Sequence, residues 1–270
     1  HRDLHSFPTR RSSDLNSISI DGLTLFYDSA EESSVELIKG ACEKSVRLIR
    51  ENLGLPLPED CRVYIMTSRF QLYHSAPLIW KFFLAVMAPL WVFRVKRMWP
   101  YVGGWQQRFG KRTVVGVKPP RLIQISDRQI GEHIYVKEDN IEEKVQHITC
   151  HELTHAFTSH LKIPTWFREG LAMIMVDRYL SKPTVKSNTL EALQKYAGNR
   201  LKNKEALVYL YTRSYWLTRY IEETKPELLK ELLSGSYRKN QFKALIAESY
   251  GKTTAFFWKE INSDLVSYFK

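Results

Sequence analysis

Residues 151–155 read His-Glu-Leu-Thr-His, two imidazoles four positions apart with a carboxylate between them. On one helix, side chains at i and i+4 point the same way, so His151 and His155 can reach a single metal ion. Glu152 can then sit beside a water at that ion. Fourteen residues after His155 comes Glu169, inside Trp166-Phe167-Arg168-Glu169-Gly170-Leu171-Ala172. It offers a third ligand from a second element. Three protein ligands with one position open are the mark of a catalytic rather than a structural zinc site. Cys150 adjoins a ligand but points about 100° round the helix, and is expected to be a packed small residue. His147 and His160 fit a three-ligand set less well than Glu169 and are read as surface or supporting residues.

Two helices must carry this set. Residues 142–161 predict the first, with Glu142 and Glu143 suited to its N-terminal end and no Gly or Pro inside it. Pro164 stops the chain after a short loop, and 165–180 predict the second, with Glu169 in its first turn. Upstream, 17–27 read as strand material around Asp21-Gly22, 31–53 as an amphipathic helix ended by Gly54 and Pro56, and 62–67 as a strand. Residues 113–117 and 121–126 are strand-like, and 130–136 lead into the metal helix. Helices are expected over 189–198, 205–224, 226–234, 239–250 and 253–268. Strands first and helices afterwards imply an α+β fold, a small mixed-sheet lobe packed on a helical lobe with the site in the cleft.

HELTHAFTSHLKIPTWFREGLA resembles the gluzincin metallopeptidases, the thermolysin-like zinc proteases, and in particular their peptidase MA-like branch. The resemblance is specific over 142–180, looser over 205–265 and weak before residue 100. It implies Zn²⁺ bound by His151, His155 and Glu169, Glu152 as general base, and a peptide or protein substrate. It also implies that an outer strand hydrogen-bonds an extended substrate; the segment from Gly103-Gly104-Trp105 to Val117 is where that edge is expected. An oxyanion donor is expected from a later helix, Tyr211 first and Tyr215 second. One departure concerns the position four residues after the ligand Glu, where thermolysin-like proteins often carry an Asp that buttresses a ligand His. Met173 stands there in this chain, and Asp177 is the expected substitute.

Residues 1–15 (HRDLHSFPTRRSSDL) resemble a translated sequencing-library adapter and are expected to lie outside the fold. The rest divides into a sheet lobe over 16–141, the metal-site helices over 142–180 and a helical subdomain over 181–270. With 44% hydrophobic residues the chain can build a real core and is not of the disordered class. Cys42, Cys61 and Cys150 lack paired spacing, which argues against a disulfide framework. A cytoplasmic or membrane-associated location is the expectation.

The net charge of +11 has a single source. Between Asp60 and Asp127 there is no acidic residue, while 11 Lys and Arg fall there. The same stretch holds the most apolar run, 78–93, within an insertion expected over about 70–112. Lys81 and Pro89 interrupt that run, which is shorter than the ~20 apolar residues of a spanning helix. It suits an interfacial or re-entrant element, with Trp80 and Trp91 at headgroup depth and Arg94, Lys96 and Arg97 against an anionic membrane surface. A helical insertion packed on the core is the bland alternative. Nucleic-acid binding has no recognition motif behind it. The competing function is a catalytically inactive interaction protein, membrane- or nucleic-acid-associated, on the same fold; an intact Glu152 speaks against it.

Overall fold

The structure, a computed structural model, describes residues 15–123, 131–195 and 203–270. Apart from Leu15, the adapter-like stretch lies outside the described residues, as do 124–126 of the strand expected over 121–126 and 196–198 of the helix expected over 189–198.

The chain opens with a hairpin, β1 (Asn16–Ile20) and β2 (Leu23–Tyr27). Its turn residues Asp21 and Gly22 have φ of 45° and 93°, the left-handed pair a two-residue hairpin needs. Helix α1 (Glu32–Leu53) buries the stripe Val35, Ile38, Cys42, Val46 and Ile49 and ends at Gly54, whose φ of 64° forms a left-handed cap. It carries the chain over to β3 (Asp60–Ile65), which lies parallel to β2. Three helices follow: α2 (Gln71–Ser75), α3 (Leu78–Val86) and α4 (Ala88–Met98). Then β4 (Gly104–Phe109) and β5 (Arg112–Val117) pair antiparallel, and β5 lies parallel to β3. The strand order is β1-β2-β3-β5-β4. The segment 103–117 is therefore not one edge: Gly110, at φ 63°, folds it back, so that β4 forms the rim and β5 is interior.

The first residues of the strand expected over 121–126, Arg121 and Leu122, lie instead in a 3-10 turn at Pro120–Leu122. Pro119 and Pro120 remove two backbone donors and fix φ, and β4 already occupies the sheet position beside β5. Gly131–Ile134 form one helical turn, α5, and Tyr135 makes an isolated bridge to Val185.

The remaining elements are α6 (Ile141–Thr158), α7 (Thr165–Leu180), α8 (Thr189–Lys195), α9 (Asn203–Thr224), α10 (Pro226–Ser234), α11 (Lys239–Ser249) and α12 (Thr254–Phe269). Asn140 caps α6 by accepting from the Glu143 amide at 2.8 Å, and Glu142 and Glu143 favour the positive end of its dipole. α6 packs against α1, α7, β4 and β5, and α7 against α9. One buried cluster runs from Ile20 in β1 to Val266 in α12, so sheet and helices share a core. A smaller cluster, Tyr64, Ala76, Phe109 and Val114, receives Leu84 of α3. The fold is α+β with a five-stranded mixed sheet among the described residues.

The apolar run forms no single rod. α3 and the helical stretch from Ala88 to Tyr101 meet at 91°, because Pro89, second residue of α4, cannot donate to the preceding turn. Neither α3 nor α4 has a fully buried residue, and α3 meets the core along one side only, through Leu84 and Trp80.

Candidate metal centre

His151 and His155 lie one turn apart on α6, and their Nε2 atoms come within 3.0 Å of each other. Glu169 approaches from the first turns of α7, with Oε2 at 3.4 Å from both Nε2 atoms. All three side chains are largely buried, and the three donor atoms could hold one metal ion. α7 reaches this position because Gly170 has no side chain: a Cβ there would collide with Thr218 and the Ser214 carbonyl of α9. Buried Phe167 and Met173 on the same helix lock it into the core.

Electrostatics couple the three groups. Burial opposes charge on Glu169, but the close approach of His151 and His155 and their attraction override it and hold the carboxyl far below its ordinary range. Burial likewise disfavours the charged His151, and Glu169 overrides it, so this imidazole holds a proton more tightly than usual. Glu152 behaves oppositely. Burial raises its pKa and Glu169 adds to the rise, while the two histidines counter it. A carboxyl lifted in this way is suited to accept and return a proton near neutrality.

Glu152 sits where α6 crosses the start of β4. A Cβ on Gly104 would lie 2.7 Å from Glu152 Cγ and 2.7 Å from Ile148 Cγ2, and one on Gly103 would meet Ile148 as well. The two glycines let the strand pass this close to the helix. Between them opens a cleft of ≈ 250 Å³ lined by Gly103, Gly104, Tyr135, His147, His151 and Glu152. Among the described residues no strand pairs with the outer side of β4.

No family model matches this chain, and no curated protein matches it. What the site can do therefore rests on its geometry.

Tyr211, on α9, is partly buried, and its hydroxyl is held above its usual pKa by burial and then by the charges of Glu169 and Glu152. The structure thus brings it into the electrostatic reach of the site. Tyr215, the second choice, is excluded as an oxyanion donor: its hydroxyl donates to Asp177 Oδ2 at 2.6 Å, deep in the core. Asp177 also departs from expectation. Its Oδ1 accepts from the Thr184 amide at 2.7 Å and from the Thr184 hydroxyl at 2.5 Å, and Arg219 stands 3.8 Å from Oδ2. Lying two turns beyond Glu169 on α7, it ties that helix to α9 and to the loop after it, and no hydrogen bond joins it to either histidine. Replacing Asp177 with Ala is expected to lower stability by ~2–3 kcal/mol, roughly 5–10 °C in melting temperature, with metal content unchanged. A thermal melt alongside a metal assay checks both halves.

Tyr135 and Glu138 were not singled out from the sequence as site residues, while His147 was read as a surface or supporting residue. Tyr135 lines the cleft, and its hydroxyl is raised by burial first and by Tyr211, Glu169 and Glu138 next. His147 Nδ1 lies 3.0 Å from Glu138 Oε1, with the Tyr135 ring edge-on at 5.2 Å. Only the one-turn spacing of His147 before His151 hinted at this. Cys150 is fully buried with its thiol pushed up to about 12 by burial, so it is packing and not a ligand. Lys118, at the end of β5, is 2% exposed and lines the cleft. Its Nζ donates to the Trp99 carbonyl and lies 4.2 Å from the centre of the Trp99 ring, and burial lowers its pKa to about 8.

Proposed function

We propose that this chain is a zinc-dependent metallopeptidase of the thermolysin-like, gluzincin kind. One observation carries the reading: Glu169 Oε2 is buried, accepts no geometrically sound hydrogen bond, and stands at equal distance from two imidazole nitrogens. An ion bonded tetrahedrally at ~2.0–2.1 Å holds its ligands about 3.3–3.4 Å apart. The separations of 3.0, 3.4 and 3.4 Å match that cage within a few tenths of an ångström. Two imidazoles and one carboxylate are a donor set that suits zinc. His151, His155 and Glu169 would hold the ion.

Zinc bound there supplies Lewis acidity, acidifying water and polarising a carbonyl. The protein's own groups do the rest. Glu152, packed against Gly104 at the cleft wall, takes the proton from the attacking water and returns it to the leaving amine nitrogen. Tyr211, with Tyr135 as a second hydroxyl, donates to the oxygen that becomes negative as the carbonyl carbon turns tetrahedral. The free outer side of β4 holds an extended peptide through backbone hydrogen bonds, which places the scissile bond beside Glu152 and reads main chain more than side chains.

The defining experiment is a zinc titration of metal-stripped protein followed by hydrolysis of a mixed peptide library. Stoichiometric zinc with zinc-dependent new amino termini supports the reading; a protein that binds zinc and cleaves nothing sinks it. The strand–helix crossing gives a second check. Gly104→Ala places a methyl against Glu152 and Ile148, and displacing a catalytic group by about 1 Å costs ~10²-fold in rate. Hydrolysis is expected to fall by about that factor while zinc stoichiometry holds, measured as kcat/KM beside metal content.

A further inference from the structure

Among the described residues, the α3–α4 pair carries a large apolar surface that the site does not use. Leu78, Ile79, Phe82, Val86, Leu90 and Phe93 are between 62% and 84% exposed. On α3 the spacing 78, 79, 82, 83, 86 puts these side chains on one outward face. Lys81, the charge inside the run, is half-buried on the other side, where it acts on His74. Leu84 turns inward to the smaller cluster, and Trp80 leans on Phe109 at 5.5 Å between ring centres. The protein thus covers the inner face of α3 and leaves the outer one bare, in an area well beyond scattered surface residues.

Charge selects the occupant. Arg94, Lys96 and Arg97 are exposed on α4, next to Leu90 and Phe93, and no acidic residue falls between Asp60 and Asp127. An apolar face rimmed by cations, on a segment that carries no anion, complements a surface that is apolar within and negative outside. Geometry sets the depth. Among the described residues no single helix is long and apolar enough to cross a membrane. At 1.5 Å per residue α3 is about 13 Å long, under half of a ~30 Å hydrocarbon core. The bend is also stapled: Trp91 Nε1 donates to the Leu84 carbonyl at 2.7 Å. The indole N–H of Trp91 thus serves the turn.

We infer that the α3–α4 pair seats in one leaflet of an anionic bilayer. Its exit segment runs straight into the cleft wall, since Trp99 is clamped by Lys118, and Tyr101 to Gly104 line the cleft. Seating the pair therefore holds the candidate site at the membrane surface. Resting on the peptidase reading, the substrate class becomes polypeptide segments emerging from that same bilayer.

The test uses the whole chain and vesicles of phosphatidylcholine with and without about one-third phosphatidylglycerol. Sedimentation is expected with the anionic vesicles and much less with the neutral ones. Arg94→Gln, Lys96→Gln and Arg97→Gln together should weaken it roughly 100-fold, at about tenfold or less per cation, and Ile79→Ser with Phe82→Ser should abolish it. None of these side chains is buried, so the fold is retained. Binding unchanged by both sets overturns the inference. So does absence of vesicle binding with a dimer that the Ser variants dissociate, which would assign the face to a second copy of the chain. A peptide tethered to anionic vesicles should be cleaved at least tenfold faster than the same peptide free in solution, and the Ser variants should lose that advantage while keeping the free-peptide rate. Equal rates on tethered and free peptide overturn the substrate class. Sedimentation without cleavage of either peptide overturns the peptidase reading and leaves the bilayer seat standing.

Discussion

Glu152→Gln is expected to bind zinc as tightly as the parent protein and to hydrolyse peptides about 10³-fold more slowly. The substitution keeps the shape of the side chain, so the contact with Gly104 and the packing of α6 on β4 are preserved. It removes only the ability to take up a proton. Positioned acid–base groups contribute ~10²–10⁴-fold, and this carboxyl has a second reason to matter. Burial and the nearby Glu169 raise its pKa, so at neutral pH it lies closer to the proton affinity of water at a metal than a solvated Glu would. Two measurements decide the matter: metal content by elemental analysis and kcat/KM on one peptide. Equal activity in both proteins would remove Glu152 from the mechanism. Lost activity together with lost zinc would show that it holds the metal centre together instead.

The helices that carry the candidate site were legible from local signals: acidic residues at the start of the first, no Gly or Pro within it, and Pro164 ahead of the second. The second runs over 165–180 as expected, with Pro164 before it; the first is placed at 141–158 with an Asn cap. The hairpin at Asp21-Gly22 and α1 were readable for the same reason, since turn chemistry and a 3.6-residue period are local properties. What was not legible is tertiary. Asp177 lay at a plausible distance along α7 from Glu169, but which groups face it depends on where Thr184 and α9 pack. Tyr135 and Glu138 reach the cleft through a single helical turn, one isolated bridge and the loop after it, and neither leaves a periodic trace, whereas His147 sits on α6 one turn before His151. The first residues of the strand expected over 121–126 show the limit of local propensity: Arg121 and Leu122 lie in a 3-10 turn, and β4 already fills the sheet position beside β5.

Glu169→Gln should separate binding from chemistry in the opposite sense to Glu152→Gln. Loss of a group that merely orients a ligand lowers metal affinity ~10–100-fold, so loss of a ligand charge should exceed ~100-fold. Activity should then follow occupancy and recover partly at high zinc, which the Glu152 variant cannot do. The metal-free proteins differ too, and the sign follows from the shifts. In the parent, Glu169 is held below its ordinary pKa and His151 above it, each by the other. The carboxylate's contribution to stability is present above its unfolded pKa and is lost as pH falls through the folded one. The imidazole's contribution is present below its unfolded pKa and fades as pH rises through the folded one. Between those limits, in mildly acidic solution, the metal-free parent gains a carboxylate–imidazolium contact that Gln cannot make, so it should outlast the variant in thermal melts at about pH 5–6 and converge with it at higher pH. Zinc needs neutral imidazoles, so in the parent its affinity should rise with pH through the raised His151 pKa, and that pH dependence should move to lower pH in the variant. An identical pH dependence of zinc affinity in both proteins would mean that Glu169 does not share the site with His151.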